Sequence, residues 1–435
     1  MVSPIEDLKV GNLISDLKLS TVVPASVTGE DTNHQFTNLD LAMKLHYITT
    51  VHFFGGEAAE GLSIYDFKKP MFLWLQLYYP ICGRIRRQDA GGRPFVKCND
   101  SGVRIVEAKC AKTVAEWLEI AGGGDHHRLL VYHQPLLAHD FGFTPLVFLQ
   151  LTRFKCGGLC VGMRWAHILG DAFSASECIN MWGKILANQT PPVKFLDPPT
   201  TIIHPSSSQT AWSLKLLDPL GDNWLIPNNF KMQMHTFHLT QKQLNNMLSE
   251  ENKNKYKVEH FEVISAVVWK SLAKIRGTKI ITVCRKGDFD YASLESELPS
   301  NGHQVIGKVE AEKMSSITDA GPLELAKMIA EKMVDETSMI EKRAEEGNGN
   351  LDFVVYGSNL TFVNWEEVNL HGLRLRGHRP VFAGLSIGGV GDEGAVVVAP
   401  CSRQGNGGGK SVTVTLAEDQ LQHLKNELRV EWGIF

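Results

Sequence analysis

Long apolar runs, paired cysteine knuckles and an excess of basic charge are all missing from this 435-residue chain. The longest apolar candidate, Met71 to Cys82, is interrupted by Gln76 and Pro80 and falls short of the roughly 20 residues a membrane-spanning helix needs. No transmembrane segment is expected, and any membrane association has to be peripheral or supplied by a partner. The first twenty residues are acidic early and lack a continuous apolar core, which argues against a secretory signal. Eight cysteines are scattered along the chain. Cys156 and Cys160 stand close, but no second pair answers them, so no metal site is expected and reduced cytosolic thiols are the simplest reading. A formal net charge of −4, with Arg84, Arg86 and Arg87 as the densest early basic cluster, argues against nucleic acid as a partner. No serine sits in a Gly-x-Ser-x-Gly elbow and no HExxH is present, which removes two common hydrolytic plans.

What remains is an ordinary globular composition, 43% hydrophobic and 21% charged, on a chain longer than one core normally supports. Leu19–Val27 reads as a strand broken by Pro24, Asn38–Phe54 as a helix on the spacing of its apolar residues, and Phe67–Tyr79 as a buried helix with Pro70 in its first turn. Phe95–Cys98 and Val103–Ala108 read as short strands around a turn at 99–102. The Pro-, Ser- and Thr-rich stretch 189–213 reads as a crossover linker between domains at 1–188 and 214–435. Beyond it come a strand near His235–Leu239, helices over Gln241–Leu248 and Phe261–Ile275, and a long charged helix over Leu323–Ala344. Ala395–Ala399 and Ser411–Leu416 read as a hairpin around a glycine-rich loop at 405–409. Strands and helices mix without strict alternation, which favours an α+β class over a doubly wound fold.

One segment carries candidate chemistry. Leu159–Ala166 reads as a buried strand and Ala172–Leu186 as a helix, and between them lies His167-Ile168-Leu169-Gly170-Asp171. A neutral imidazole at a strand end can take a proton from a hydroxyl or amine, and Gly170 lets the backbone turn tightly behind it. The plainer alternative is a buried histidine bonded to a backbone carbonyl. Asp171 precedes a helix and is read as structural, a cap, before a second proton carrier; Ser174 and Glu177 have capping-box spacing one turn later. The GxGxxG match at Gly389–Gly394 leads into a β-branched strand rather than a helix, so it is read as a turn and not a nucleotide site.

Pro80-Ile81-Cys82-Gly83-Arg84, the His167-x-x-x-Asp171 unit and Asn364-Trp365 together resemble a plant BAHD-type acyltransferase, over nearly the whole chain. The chain is most similar to the eceriferum/Glossy branch of that family, on Ser20–Ala25, Leu41–Tyr47, Cys98–Gly102, Phe154–Gly158 and Asn359–Asn364. The resemblance implies two chloramphenicol-acetyltransferase-like domains with mixed β-sheets flanked by helices, and an active-site channel at their interface. It implies His167 as general base on an alcohol or amine acceptor, Asp171 as an architectural residue, no cofactor, and acyl-CoA as substrate or ligand. The branch implies a monomer that serves very-long-chain acyl elongation for cuticular wax at the endoplasmic-reticulum surface, beside a ketoacyl-CoA synthase. No substrate-binding residue is assigned. One family feature is missing: where Asp-Phe-Gly-Trp-Gly precedes a basic residue and proline, this chain has Arg374–His378 before Arg379-Pro380. The lost aspartate leaves its arginine partner, for which Arg285 is the candidate, in need of another carboxylate or water. Ordinary acyl transfer is thereby in question while the fold is not.

Overall fold

β-Branched and aromatic residues dominate Tyr47–Phe54 (YITTVHFF), and the segment is a strand rather than the second half of a helix. The helix read over 38–54 shrinks to Asn38–Ala42, opened by a Thr37/Asp40 capping box. Pairing on both sides overrides the helical spacing: Tyr47–Phe54 runs antiparallel to Leu159–Ala166 on one flank and to Phe382–Gly388 on the other. The computed structural model describes residues 13–88, 91–121, 125–191, 211–248, 258–289, 297–403 and 409–434. Most of the expected 189–213 linker, and part of the 405–409 loop, lie outside those residues.

Two mixed sheets organise the chain. The first has six strands in the order Ile14–Val22, Val103–Cys110, Val147–Phe154, Leu159–Ala166, Tyr47–Phe54 and Phe382–Gly388. Its last strand comes from the C-terminal third, so the two halves of the sequence share this sheet. The second has seven strands: Met232–Leu239, Lys410–Ala417, Ala395–Pro400, Leu360–Asn364, Ile280–Lys286, Gln304–Glu310 and Val334–Asp335. Helices flank both, which makes the class α+β. Ala395–Pro400 and Lys410–Ala417 form the expected antiparallel pair.

Three further expectations are corrected. The first strand starts at Ile14 and stops at Val22, before Pro24 can interrupt the ladder. The helix read from Phe67 begins at Ile64, capped by Ser63, so Pro70 is interior; only one face is buried, and Phe72 and Leu73 stay exposed. The long helix read over 323–344 is two helices, Pro322–Glu331 and Thr337–Glu346. Between them Val334–Asp335 pairs with Gly307 and Lys308, because the open edge of the second sheet offers unpaired backbone groups that a continuous helix would leave unused.

No helix among the described residues is long and apolar enough to cross a membrane. Nor does any group of three or more His, Cys, Asp or Glu among them assemble as a metal site.

Candidate functional site

Leu159–Ala166 and Ala172–Leu186 take the strand and helix that the sequence indicates, and the loop between them is fastened at both ends. The His167 N–H donates to the His46 carbonyl at 3.0 Å, and the Asp171 N–H to the Ser300 carbonyl at 3.1 Å. Gly170 has φ +154°, and a Cβ there would stand 2.8 Å from the Ser300 nitrogen, so the loop 298–303 approaches too closely for any side chain. Asp171 is the helix cap: its Oδ1 accepts from the Ser174 N–H at 3.0 Å. The second capping box does not form. Ser174 Oγ donates to the Ser300 carbonyl, and Glu177 pairs with Lys184 at 2.9 Å.

Asp171 has a second tie that the sequence did not reveal. Its Oδ2 lies 3.2 Å from His303 Nδ1, and Glu297 stands 3.9 Å from the other ring nitrogen. Burial pulls the His303 pKa down, but Asp171 and then Glu297 outweigh it, so the imidazole is held above its ordinary value. His303 is thus the imidazole partner of Asp171. Arg285, the candidate partner of the lost family aspartate, is exposed on its strand.

His167 is closed off. Its exposure is 0%. Nε2 lies 3.0 Å from the Tyr356 hydroxyl, itself 3.1 Å from Gln304 Oε1. Two proton placements satisfy these atoms. Either the phenol donates to Gln304 and receives the Nε2–H, or the Gln304 amide is turned over and the phenol donates to Nε2. Both engage Nε2. Nδ1 has no hydrogen-bond partner. Burial holds the His167 pKa at about 4, so the ring is neutral near pH 7 but a weak base.

The lid over His167 has its own supports. His46 Nδ1 donates to the Gly389 carbonyl at 2.6 Å while its Nε2 accepts from the Val355 N–H at 3.1 Å, which fixes the tautomer and pins the segment carrying Tyr356. Burial first, then the neighbouring His167, lowers the His46 pKa to about 3. From below, the Asn301 side-chain amide donates to both Asp40 Oδ1 (2.9 Å) and the His167 carbonyl (2.8 Å). Asp40 accepts from the Thr37 N–H as well, so one carboxylate joins a helix start to the His167 loop. His46 lies within the Leu41–Tyr47 stretch that carried the family resemblance, yet nothing in the sequence gave it this role.

The segment 374–378, where the resemblance leads us to expect Asp-Phe-Gly-Trp-Gly, is a tight turn. Leu375 and His378 exchange backbone hydrogen bonds of 3.1 and 2.9 Å, with Arg376 at φ +50° and Gly377 at φ +82°. Two consecutive positive φ values are the mark of a hairpin turn that glycine favours. Arg376 donates to the Glu60 carbonyl at 2.7 Å, anchoring the turn without a carboxylate. Gly389–Gly394 is a turn as read, with positive φ at both of its end glycines, leading into Ala395–Pro400.

The sequence pattern of the Transferase family matches residues 15–283, a span that includes the whole His167 loop. The chain belongs to that family, the BAHD acyltransferases. Protein ECERIFERUM 2 of Arabidopsis thaliana is 38% identical, covering 96% of this chain and 98% of that one. Protein ECERIFERUM 26-like of the same plant is 36% identical, covering 96% and 95%. A hydroxycinnamoyltransferase of Narcissus pseudonarcissus stands further off at 26%, covering 95% and 98%. Among solved structures, vinorine synthase superposes with a TM-score of 0.68 at 17% identity, covering 94% of this chain and 96% of that one. F. graminearum TRI101 complexed with coenzyme A and deoxynivalenol gives 0.68 at 15%, covering 92% and 98%. At those identities the superpositions establish the BAHD acyltransferase fold, mixed sheets flanked by helices, and nothing finer.

Proposed function

We propose that this BAHD-fold protein promotes very-long-chain acyl-CoA elongation for cuticular wax as an accessory to a ketoacyl-CoA synthase, and does not itself transfer acyl groups. One observation carries the reading: the His167 ring is sealed, with Nε2 held by Tyr356. A general base has to come within about 2.6–3.2 Å of the proton it removes, directly or through one water. A ring without exposed surface admits neither an acceptor hydroxyl nor a water. Two facts support it. The near relatives carry the ECERIFERUM name, and the loop that replaces Asp-Phe-Gly-Trp-Gly is held by other means than the family's aspartate. On this reading acyl-CoA is a ligand or the partner's substrate, no cofactor is needed, and the protein works as a monomer on the endoplasmic-reticulum surface through its partner.

The second reading is acyl-CoA-dependent O- or N-acyl transfer with His167 as general base and Asp171 in support. The intact strand–loop–helix geometry around His167 favours it. Co-expression with individual ketoacyl-CoA synthases in yeast, followed by acyl-chain analysis, tests the first reading: longer chains are expected with at least one synthase. Unchanged profiles across several synthases, together with acyl transfer to an added alcohol or amine by the purified protein, would favour the second.

A further inference from the structure

A cavity of about 490 Å³ lies between the two sheets, away from His167, which does not line it. That volume is within the range of small-molecule sites, roughly 300–1,000 Å³. Alternating positions build its walls: Thr49 and Val51 with Arg164 and Ser386 from the first sheet, Met234 and Thr236 with Thr413 and Thr415 from the second. The lining holds three arginines and three histidines against a single carboxylate, Asp125, which stands 3.8 Å from Arg128.

Arg164 is the unusual member. Its guanidinium carbon sits 3.9 Å from the centre of the Tyr47 ring. Its Nε is shut off from solvent and meets no acceptor, and no carboxylate among the described residues pairs with it. A largely buried cation without a counter-charge is costly unless something anionic completes it. Nearby, burial and then the charges of Arg164 and Arg128 hold the His133 imidazole below its usual pKa, so this end of the cavity concentrates positive potential. The lining also carries an apolar strip: Val51 and Val131 belong with Phe382 to one buried cluster, and Leu225 and Ile226 line the cavity too, beside the threonines of the second sheet.

We infer that this cavity binds a single-chain amphipathic anion, an acid headgroup at Arg164 with its hydrocarbon chain along Val51, Val131 and Phe382. The headgroup is a carboxylate or a phosphate, since the guanidinium offers both the same paired donors. The inference rests on the cavity alone and stands apart from the elongation reading, because its test measures binding and not chain length.

Titration calorimetry on the full-length protein, below the micellar range, tests it with dodecanoate, dodecyl phosphate, dodecanol and inorganic phosphate. At least one acid-headed probe is expected to bind one per chain, with dodecanol and inorganic phosphate each weaker by about tenfold or more. Arg164→Gln is expected to weaken the acid-headed probe by a similar factor and leave dodecanol unchanged, while Arg164→Lys recovers part of the loss. Dodecanoate binding alone assigns a fatty-acid type of ligand, and dodecyl phosphate binding alone a lipid-phosphate type. Should Arg164→Gln fail to fold, Ser386→Phe, which fills the cavity from two strands away in the same sheet, is expected to abolish the same binding. Absence of binding by both acid-headed probes overturns the inference. So do equal affinity for dodecanol, equal affinity for inorganic phosphate, and affinity indifferent to both Arg164→Gln and Ser386→Phe.

Discussion

Tyr356 decides what His167 can do. The phenol occupies Nε2 and closes the approach, while His46 and the Gly389 carbonyl hold the segment beneath it. Tyr356→Ala is therefore expected to expose the imidazole. Diethyl pyrocarbonate followed by peptide mass spectrometry should leave His167 unmodified in the native protein and carbethoxylate it in the variant; equal modification of both would show the ring is already open. Asp171 answers to a different test. Asp171→Ala removes a helix cap, a loss of about 0.5–2 kcal/mol, and also takes from His303 the carboxylate that raises its pKa. The expected unfolding free energy loss exceeds that of Thr37→Ala, which removes a cap alone. A loss no larger than that single cap would show that the Asp171–His303 pair contributes nothing.

At the level of elements, the strand and helix flanking His167 were legible because each has a clean local signature: a buried apolar run, then a capped segment with helical spacing. The segment 38–54 was not, since its apolar residues fit helical intervals while its β-branched content pointed to a strand, and only pairing with chain 105 to 341 residues away settles the choice. The same distance hid the groups around His167. Asn301, His303, Gln304 and Tyr356 all lie more than a hundred positions downstream, and none stands in a motif of its own. Lys44 shows a related case. Just after the short helix, its ammonium is buried against Asp352 at 2.8 Å and donates to the Gly349 carbonyl at 3.0 Å, tying the N-terminal region to the segment leading to Tyr356. Burial lowers the Lys44 pKa and Asp352 raises it, the former prevailing. Removing one partner of such a pair typically costs about 3–5 kcal/mol. Urea unfolding of Lys44→Met should show a loss of that order, and Lys44→Met/Asp352→Leu should recover much of it.

For the whole molecule, buried imidazoles set the response to acid. Burial is the chief cause that lowers His46 to about 3 and His52, His127, His167 and His235 to about 4, from an ordinary value of 6.5. The unfolded chain binds protons first, so their contribution is complete above pH 6.5 and is lost as the pH falls toward 4. Each pH unit by which an imidazole is held down is worth about 1.4 kcal/mol. His303 runs the other way: its raised pKa contributes stability that is complete below 6.5 and lost as the pH rises through its folded value. Thermal unfolding between pH 7.5 and 5 should therefore show falling stability on acidification. The fall should be steeper in His303→Gln; a shallower fall in that variant would contradict the assigned direction.

The most direct measurement is the acyl-chain profile of yeast co-expressing a responsive ketoacyl-CoA synthase with the His167→Ala protein, at matched abundance and confirmed folding. Chain lengths equal to those obtained with the unaltered protein are expected if the sealed imidazole takes no part in chemistry. A return to the profile of the synthase alone would contradict the accessory role and restore His167 as a working base.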